Sequence, residues 1–103
     1  ILLPHLKDEW SLNYYNNYLN RILDHDAKSG LDFLNTLLEY IKAFGNIREA
    51  SEAVFQHPNT VRYRIGKIKD LWGIEENAEF YYEACIFCKL HLLYKLAPFS
   101  GMI

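Results

Sequence analysis

The sequence is poor in the features that mark catalysis, membranes or modular architecture. Its 103 residues hold two cysteines, Cys85 and Cys88, and four histidines, His5, His25, His57 and His91. The Cys-x-x-Cys spacing has no second Cys pair, no His at ligand spacing and no preceding strand, so zinc or dithiol chemistry lacks its remaining parts. At that spacing two side chains share one helix face, and buried structural thiols are the simpler reading. None of the histidines stands in a recognisable arrangement with a Ser or Cys nucleophile. Neither catalysis nor a cofactor is expected. The apolar opening Ile1-Leu2-Leu3-Pro4 has no basic region before it, which excludes a signal peptide and a membrane span there. It reads as a piece cut from a longer soluble, cytoplasmic protein. There is no internal repeat, low-complexity stretch or Pro/Ser-rich linker, so residues 1–103 are expected to form a single domain.

An excess of basic charge is also missing: 11 basic residues face 13 acidic ones, for a formal net charge of −2. The distribution is uneven. From Ala53 to Lys69 come Arg62, Arg64, Lys67 and Lys69 and no acid, while the rest of the chain is net acidic. One positive stripe on a negative body steers a polyanion to a single face.

What the sequence does have is apolar residues, half of the total, recurring at helical spacing, with strict alternation absent over any useful length. The pattern predicts an all-α domain of five helices, at about 8–24, 31–44, 47–55, 58–72 and 77–96. The first carries Leu12, Tyr15, Leu19, Ile22 and Leu23 on its inner side, and the polar run from Asp24 to Gly30 ends it. The second buries Leu34, Leu37, Leu38, Ile41 and Phe44 and stops at Gly45, a residue suited to the left-handed position after a helix. Asn46, three residues before Glu49, caps the third. Pro58 fits the first turn of the fourth, since a proline lacks only an N–H that has no partner there. Gly73 ends it. The fifth stops before Pro98, leaving the tail from Phe99 to Ile103 loosely held. Tyr14, Tyr15, Tyr18, Phe80, Tyr81, Tyr82, Phe87 and Tyr94 are expected to fill the core.

Helices three and four, joined by Phe55-Gln56-His57, form a helix-turn-helix unit whose second helix is basic. On a helical wheel Val61, Ile65, Ile68 and Trp72 fall in one narrow arc, the docked face. Opposite lie Asn59, Tyr63, Gly66 and Asp70, with Arg62 and Lys67 on the flanks. A rod divided in this way can enter a major groove with its polar side. Asn59, Arg62 and Tyr63, on the first two turns, are the base-edge candidates, because Asn can pair with adenine and Arg with guanine. Thr60, with the N–H groups of the helix start, suits a phosphate; Lys67, Lys69 and Arg64 add charge. Arg64 lies nearer the apolar arc, and pairing with an acid such as Glu39 is its alternative. Tyr63 alternatively covers the core edge, and His57 reads as a cap or turn hydrogen bonder.

The run from Asn46 to Ile65, with Ala50 and the stretch His57-Pro58-Asn59-Thr60-Val61-Arg62-Tyr63-Arg64-Ile65, then Gly73, closely resembles the C-terminal helix-turn-helix of PucR-type (CdaR-like) bacterial regulators. Their signature is a His, a variable residue, Asn-Thr, an aliphatic, Arg-Tyr-Arg and an aliphatic. Asp26 and Thr36-Leu37 also look like that pattern, so the resemblance spans roughly residues 15–95. Gln56 departs from the usual aliphatic, Pro58 stands where a basic residue is common, and Phe55 fills a turn position often held by Gly. The resemblance implies a module that binds double-stranded DNA in a sequence-specific way, at the end of a bacterial transcription regulator whose upstream sensing part is outside this chain. Such a protein would be paired as a homo-oligomer, with two recognition helices about 34 Å apart. The alternative is a protein–protein interaction or dimerisation module using helix 77–96, which is apolar on more of its circumference than one packing face requires. RNA binding is disfavoured, because single strands are usually read on a sheet.

Overall fold

The structure, a computed structural model, describes residues 9–96. Among the described residues there are five helices and no strand: α1 (Glu9–Ser29), α2 (Phe33–Lys42), α3 (Ile47–Val54), α4 (Pro58–Trp72) and α5 (Asn77–Leu96). The apolar opening, the expected first-helix start at Asp8 and the tail from Phe99 lie outside the described residues.

Helix α1 runs one and a half turns past the expected stop at Asp24. Polarity there marks solvent exposure rather than a break, and the helix ends only at Gly30, whose φ is +72°. The extra turns have a purpose in the packing. The Asp26 carboxylate accepts from the N–H groups of Phe33 at 2.9 Å and Leu34 at 3.2 Å, and the Asp32 side chain accepts from Asn35 N–H at 3.1 Å. Two acids thus satisfy the open donors at the start of α2, where negative charge is also favoured. The His25 ring stacks on Phe33 at 4.2 Å between centroids and completes the joint.

Helix α2 begins two residues later than expected, at Phe33, and closes at Lys42 instead of continuing to Phe44. Phe44 and Gly45 both turn left-handed, with φ of +54° and +81°. That reversal throws the Phe44 ring into solvent at 88% exposure, correcting its assignment to the core. Gly45 is required for a second reason, since a Cβ there would meet Tyr81 Cε1 at 3.2 Å. Three further core assignments are corrected: Leu12 and Leu23 on α1 and Tyr82 on α5 are exposed. The polar and apolar stripes of α1 are rotated so that Tyr15, Ile22 and the half-buried Tyr14 and Tyr18 face inward.

The core gathers Ile22, Phe33, Leu37, Ala50, Val61, Ile65, Ile68, Trp72, Phe80, Ala84 and Phe87 from all five helices. Its aromatic centre joins Tyr18 to Trp72 at 4.3 Å, Trp72 to Phe87 at 5.3 Å and Phe87 to Tyr15 at 5.5 Å. Burying one such side chain stabilises the fold by roughly 1.5–3 kcal/mol. Four members of the core belong to α4, so α4 is anchored along its whole length.

Candidate nucleic-acid interface

Helix α3 starts at Asn46, whose side chain accepts from Glu49 N–H at 3.0 Å, and ends at Phe55, held left-handed at φ +57°. Phe55 N–H donates to the Glu52 carbonyl and Gln56 N–H to the Ser51 carbonyl, so the last turn is closed as it is after α4, where Gly73 does the same. The three-residue turn then delivers the chain to α4. His57 caps that helix through Nδ1, which accepts from Asn59 N–H at 3.0 Å, and Pro58 follows in the first turn. The His57 carbonyl takes the N–H groups of Thr60 and Val61 at 2.9 and 3.1 Å. The helix start therefore has its donors occupied, and the expectation of free N–H groups beside Thr60 is corrected. Thr60 itself is half-buried.

Val61, Ile65, Ile68 and Trp72 are all buried, as their arc requires. The opposite side of the helix carries Asn59, Arg62 and Tyr63 in solvent, with Tyr63 61% exposed. That exposure sets aside the alternative in which its ring covers the core edge. The Arg62 guanidinium donates to Asn59 Oδ1 at 2.7 Å, one helical turn apart, so two of the three base-edge candidates are joined. Asp70 is exposed further along α4.

The basic residues divide into separate groups. Arg64 turns inward: its guanidinium donates to the buried Thr36 hydroxyl at 3.1 Å and stands 5.9 Å from the Phe33 ring centroid. Glu39 is not its partner, being paired with Lys42 at 3.3 Å. Lys69 donates to Asn77 Oδ1 at 2.6 Å, bridging to the start of α5. Lys67, also on α4, is half-buried. At the far end Trp72 Nε1 donates to the Tyr18 carbonyl at 3.3 Å and Arg21 to the Leu71 carbonyl at 3.2 Å. Polar bonds to α1, α2 and α5 thus fix the rod that its apolar side already anchors.

Two contributors were not legible as such. Phe55, beside the start of α4, is 90% exposed in a backbone conformation that disfavours it, and only its place in a glycine-like turn position hinted at this. Phe33, the surface beneath Arg64, is fully buried and is not among the residues expected inside from the helical pattern of α2.

Elsewhere, α2 and α5 border a groove of about 540 Å³, with Leu38, Ile41, Cys85, Cys88 and Leu92 among its lining and Lys42 at its edge. Both thiols are free, and burial followed by the neighbouring Cys85 pushes the Cys88 thiol up to about 12. Such a thiol carries little of the thiolate that redox or metal chemistry uses. Among the described residues no group of three or more His, Cys, Asp or Glu side chains comes together as a metal site. No described helix is long and apolar enough to cross a membrane.

Uncharacterized proteins of Mycobacterium bovis and of two strains of Mycobacterium tuberculosis are each 40% identical to this chain over 47 residues, which is 46% of the chain and 11% of each relative. The chain therefore corresponds to a small part of those proteins. No solved structure matches it. The family comparison covers residues 33–78, from the first residue of α2 to the first turn of α5, a shorter span than the resemblance drawn from sequence. It includes the whole α3-turn-α4 unit with its capping residues, and over that segment the chain matches the PucR C-terminal helix-turn-helix domain family.

Proposed function

We propose that this chain binds double-stranded DNA in a sequence-specific way as the DNA-reading part of a cytoplasmic bacterial transcription regulator, with α4 in the major groove. The observation that carries this reading is the outward projection of Asn59, Arg62 and Tyr63 from a rod whose other side is buried through Val61, Ile65, Ile68 and Trp72. A side chain reads a base edge only when its own position is fixed, and here both packing and polar bonds fix it. Asp70 limits the contact to the first two turns, because an exposed carboxylate opposes phosphate. Lys67 is the backbone-contacting candidate that the geometry leaves uncommitted, whereas Arg64 and Lys69 serve better as struts. The reading assigns no catalytic role and no cofactor. In the intact regulator an upstream part would sense an effector, and pairing of two copies would set two α4 helices on successive turns of the duplex.

A second reading rests on the groove between α2 and α5: an apolar trough with Lys42, Lys89 and Lys95 around it suits an acidic, amphipathic helix of another protein. A salt titration with duplex DNA separates the two. Phosphate neutralisation gives a log–log slope of several units, and a flat response supports the interaction module.

A further inference from the structure

Resting on the DNA reading above, we propose that Asn59 and Arg62 act as one donor unit that selects neighbouring major-groove acceptors, a guanine beside a guanine or thymine, and that Asn59 does not read adenine while Arg62 is in place.

The chemistry follows from one bond. To pair bidentately with adenine, an Asn side chain must accept from the N6 amino group and donate to N7. In this chain Asn59 Oδ1 already accepts from the Arg62 guanidinium at 2.7 Å. The oxygen keeps a second lone pair, but an adenine amino group arriving there meets guanidinium N–H groups of its own polarity. What the pair turns outward is therefore almost entirely donors. A guanidinium has five N–H groups, so four remain after this bond, and the Asn59 amide contributes two more.

Base edges sort sharply against such a surface. Guanine offers O6 and N7 with no donor in the major groove, and thymine offers O4. Cytosine presents an amino donor, and adenine sets an amino donor beside N7, so both oppose it. The charge-assisted bond also restrains the long Arg62 side chain before any duplex arrives, which reduces the ordering cost on binding. Since Asn59 and Arg62 lie one turn apart on the same flank, their targets are adjacent bases.

The test is selection of bound duplexes from a random pool by the full chain, repeated with Arg62→Ala and Asn59→Ala. Both sites are exposed, and retained helical circular dichroism identifies variants that still fold. The expected wild-type site has a guanine whose enrichment disappears with Arg62→Ala, next to a guanine or thymine whose enrichment disappears with Asn59→Ala. With Arg62→Ala, the Asn59 amide is released and its position should turn towards adenine. Replacing the selected guanine by 7-deazaguanine, which lacks the N7 acceptor, should weaken wild-type binding about tenfold. Enrichment of adenine by the wild type at the position that Asn59→Ala erases would overturn the donor unit while leaving DNA reading intact, and so would an Asn59 position unmoved by Arg62→Ala. Absence of any enriched sequence, with salt-insensitive binding, would overturn both.

Discussion

Arg64 of α4 and Thr36 of α2 are joined by a 3.1 Å hydrogen bond in which the threonine hydroxyl is fully buried and itself donates to the Asp32 carbonyl at 2.9 Å. The arginine that a charge count assigns to phosphate is thereby a cross-brace between the start of α2 and the middle of α4. Arg64→Ala should lower unfolding stability by about 1–3 kcal/mol in urea denaturation, through the bond to Thr36 and the lost cover over Phe33. Thr36→Val, nearly the same shape, should cost about 1–2 kcal/mol by leaving the guanidinium without that acceptor. Neither change should alter the salt slope of duplex binding. A slope lower by about one unit for Arg64→Ala would show that this residue meets a phosphate after all.

Phe55 and Gly73 perform the same backbone task at the ends of α3 and α4, with φ of +57° and +73°. A side chain in this region costs roughly 1–2 kcal/mol, and an almost fully exposed ring recovers little by burial. Phe55→Gly should therefore raise the thermal midpoint slightly, after the added freedom of glycine in the unfolded chain offsets part of the gain, a net of about 0.5 kcal/mol. Gly73→Ala should destabilise by about 1 kcal/mol or more. If Phe55→Gly stabilises the fold yet weakens duplex binding, the ring at the turn serves the complex rather than the domain.

The parts of the fold that sterics dictate locally were legible in the sequence. Pro58 and Gly73 bracket α4, and the buried arc of Val61, Ile65, Ile68 and Trp72 emerged because periodicity of 3.6 admits one docked face. The parts set by contacts across the chain were not. Asp26 extends α1 because it binds N–H groups of α2, a benefit that no local pattern displays. Phe44 counts as apolar in a helical window, yet the left-handed reversal that closes α2 places it outside. For Arg64 the wheel placed the residue near the core edge but not its partner: the acid Glu39 of α2 was the alternative, and the Thr36 hydroxyl of that helix holds it instead. The pairing of Arg62 with Asn59 is an i, i+3 relation within reach of sequence reasoning, but the same two polar groups suit base edges equally well, and periodicity does not choose between the partners.

Acid should loosen the aromatic centre through His91. Its Nδ1 lies 2.8 Å from the Tyr15 hydroxyl, and burial, followed by the nearby Lys95 charge, holds its pKa below the ordinary histidine value. The unfolded chain then binds more protons than the folded one as pH falls through the normal histidine range near 6.5, so stability contributed by neutral His91 is present above that range and lost below it. Urea midpoints should drop between pH 7 and pH 5, and His91→Gln should flatten part of that slope. An unchanged slope in the variant would remove His91 from the acid response.

Cys88 should resist alkylation. A thiol pushed up to about 12 is almost wholly protonated at pH 8, so iodoacetamide should modify Cys88 in the native chain on the order of a hundredfold more slowly than in the urea-unfolded chain. Mass spectrometry of a timed reaction measures this directly. Rapid native labelling at Cys88 would indicate that the α2–α5 groove opens widely.

The cap at His57 ties stability to the presentation of Asn59. Its Nδ1 accepts from the backbone N–H of Asn59, and its carbonyl receives those of Thr60 and Val61, so the first turn of α4 hangs on this one residue. The carbonyl bonds survive any substitution, whereas the side-chain bond does not. His57→Ala should cost about 1 kcal/mol in urea denaturation, and His57→Asn, a side chain of good capping geometry, should restore most of it. Operator affinity should follow the same order, Asn close to wild type and Ala weaker, because fraying of the first turn releases Asn59 before Arg62. Equal affinity losses from both substitutions, with stability rescued only by Asn, would instead place the imidazole itself against the DNA.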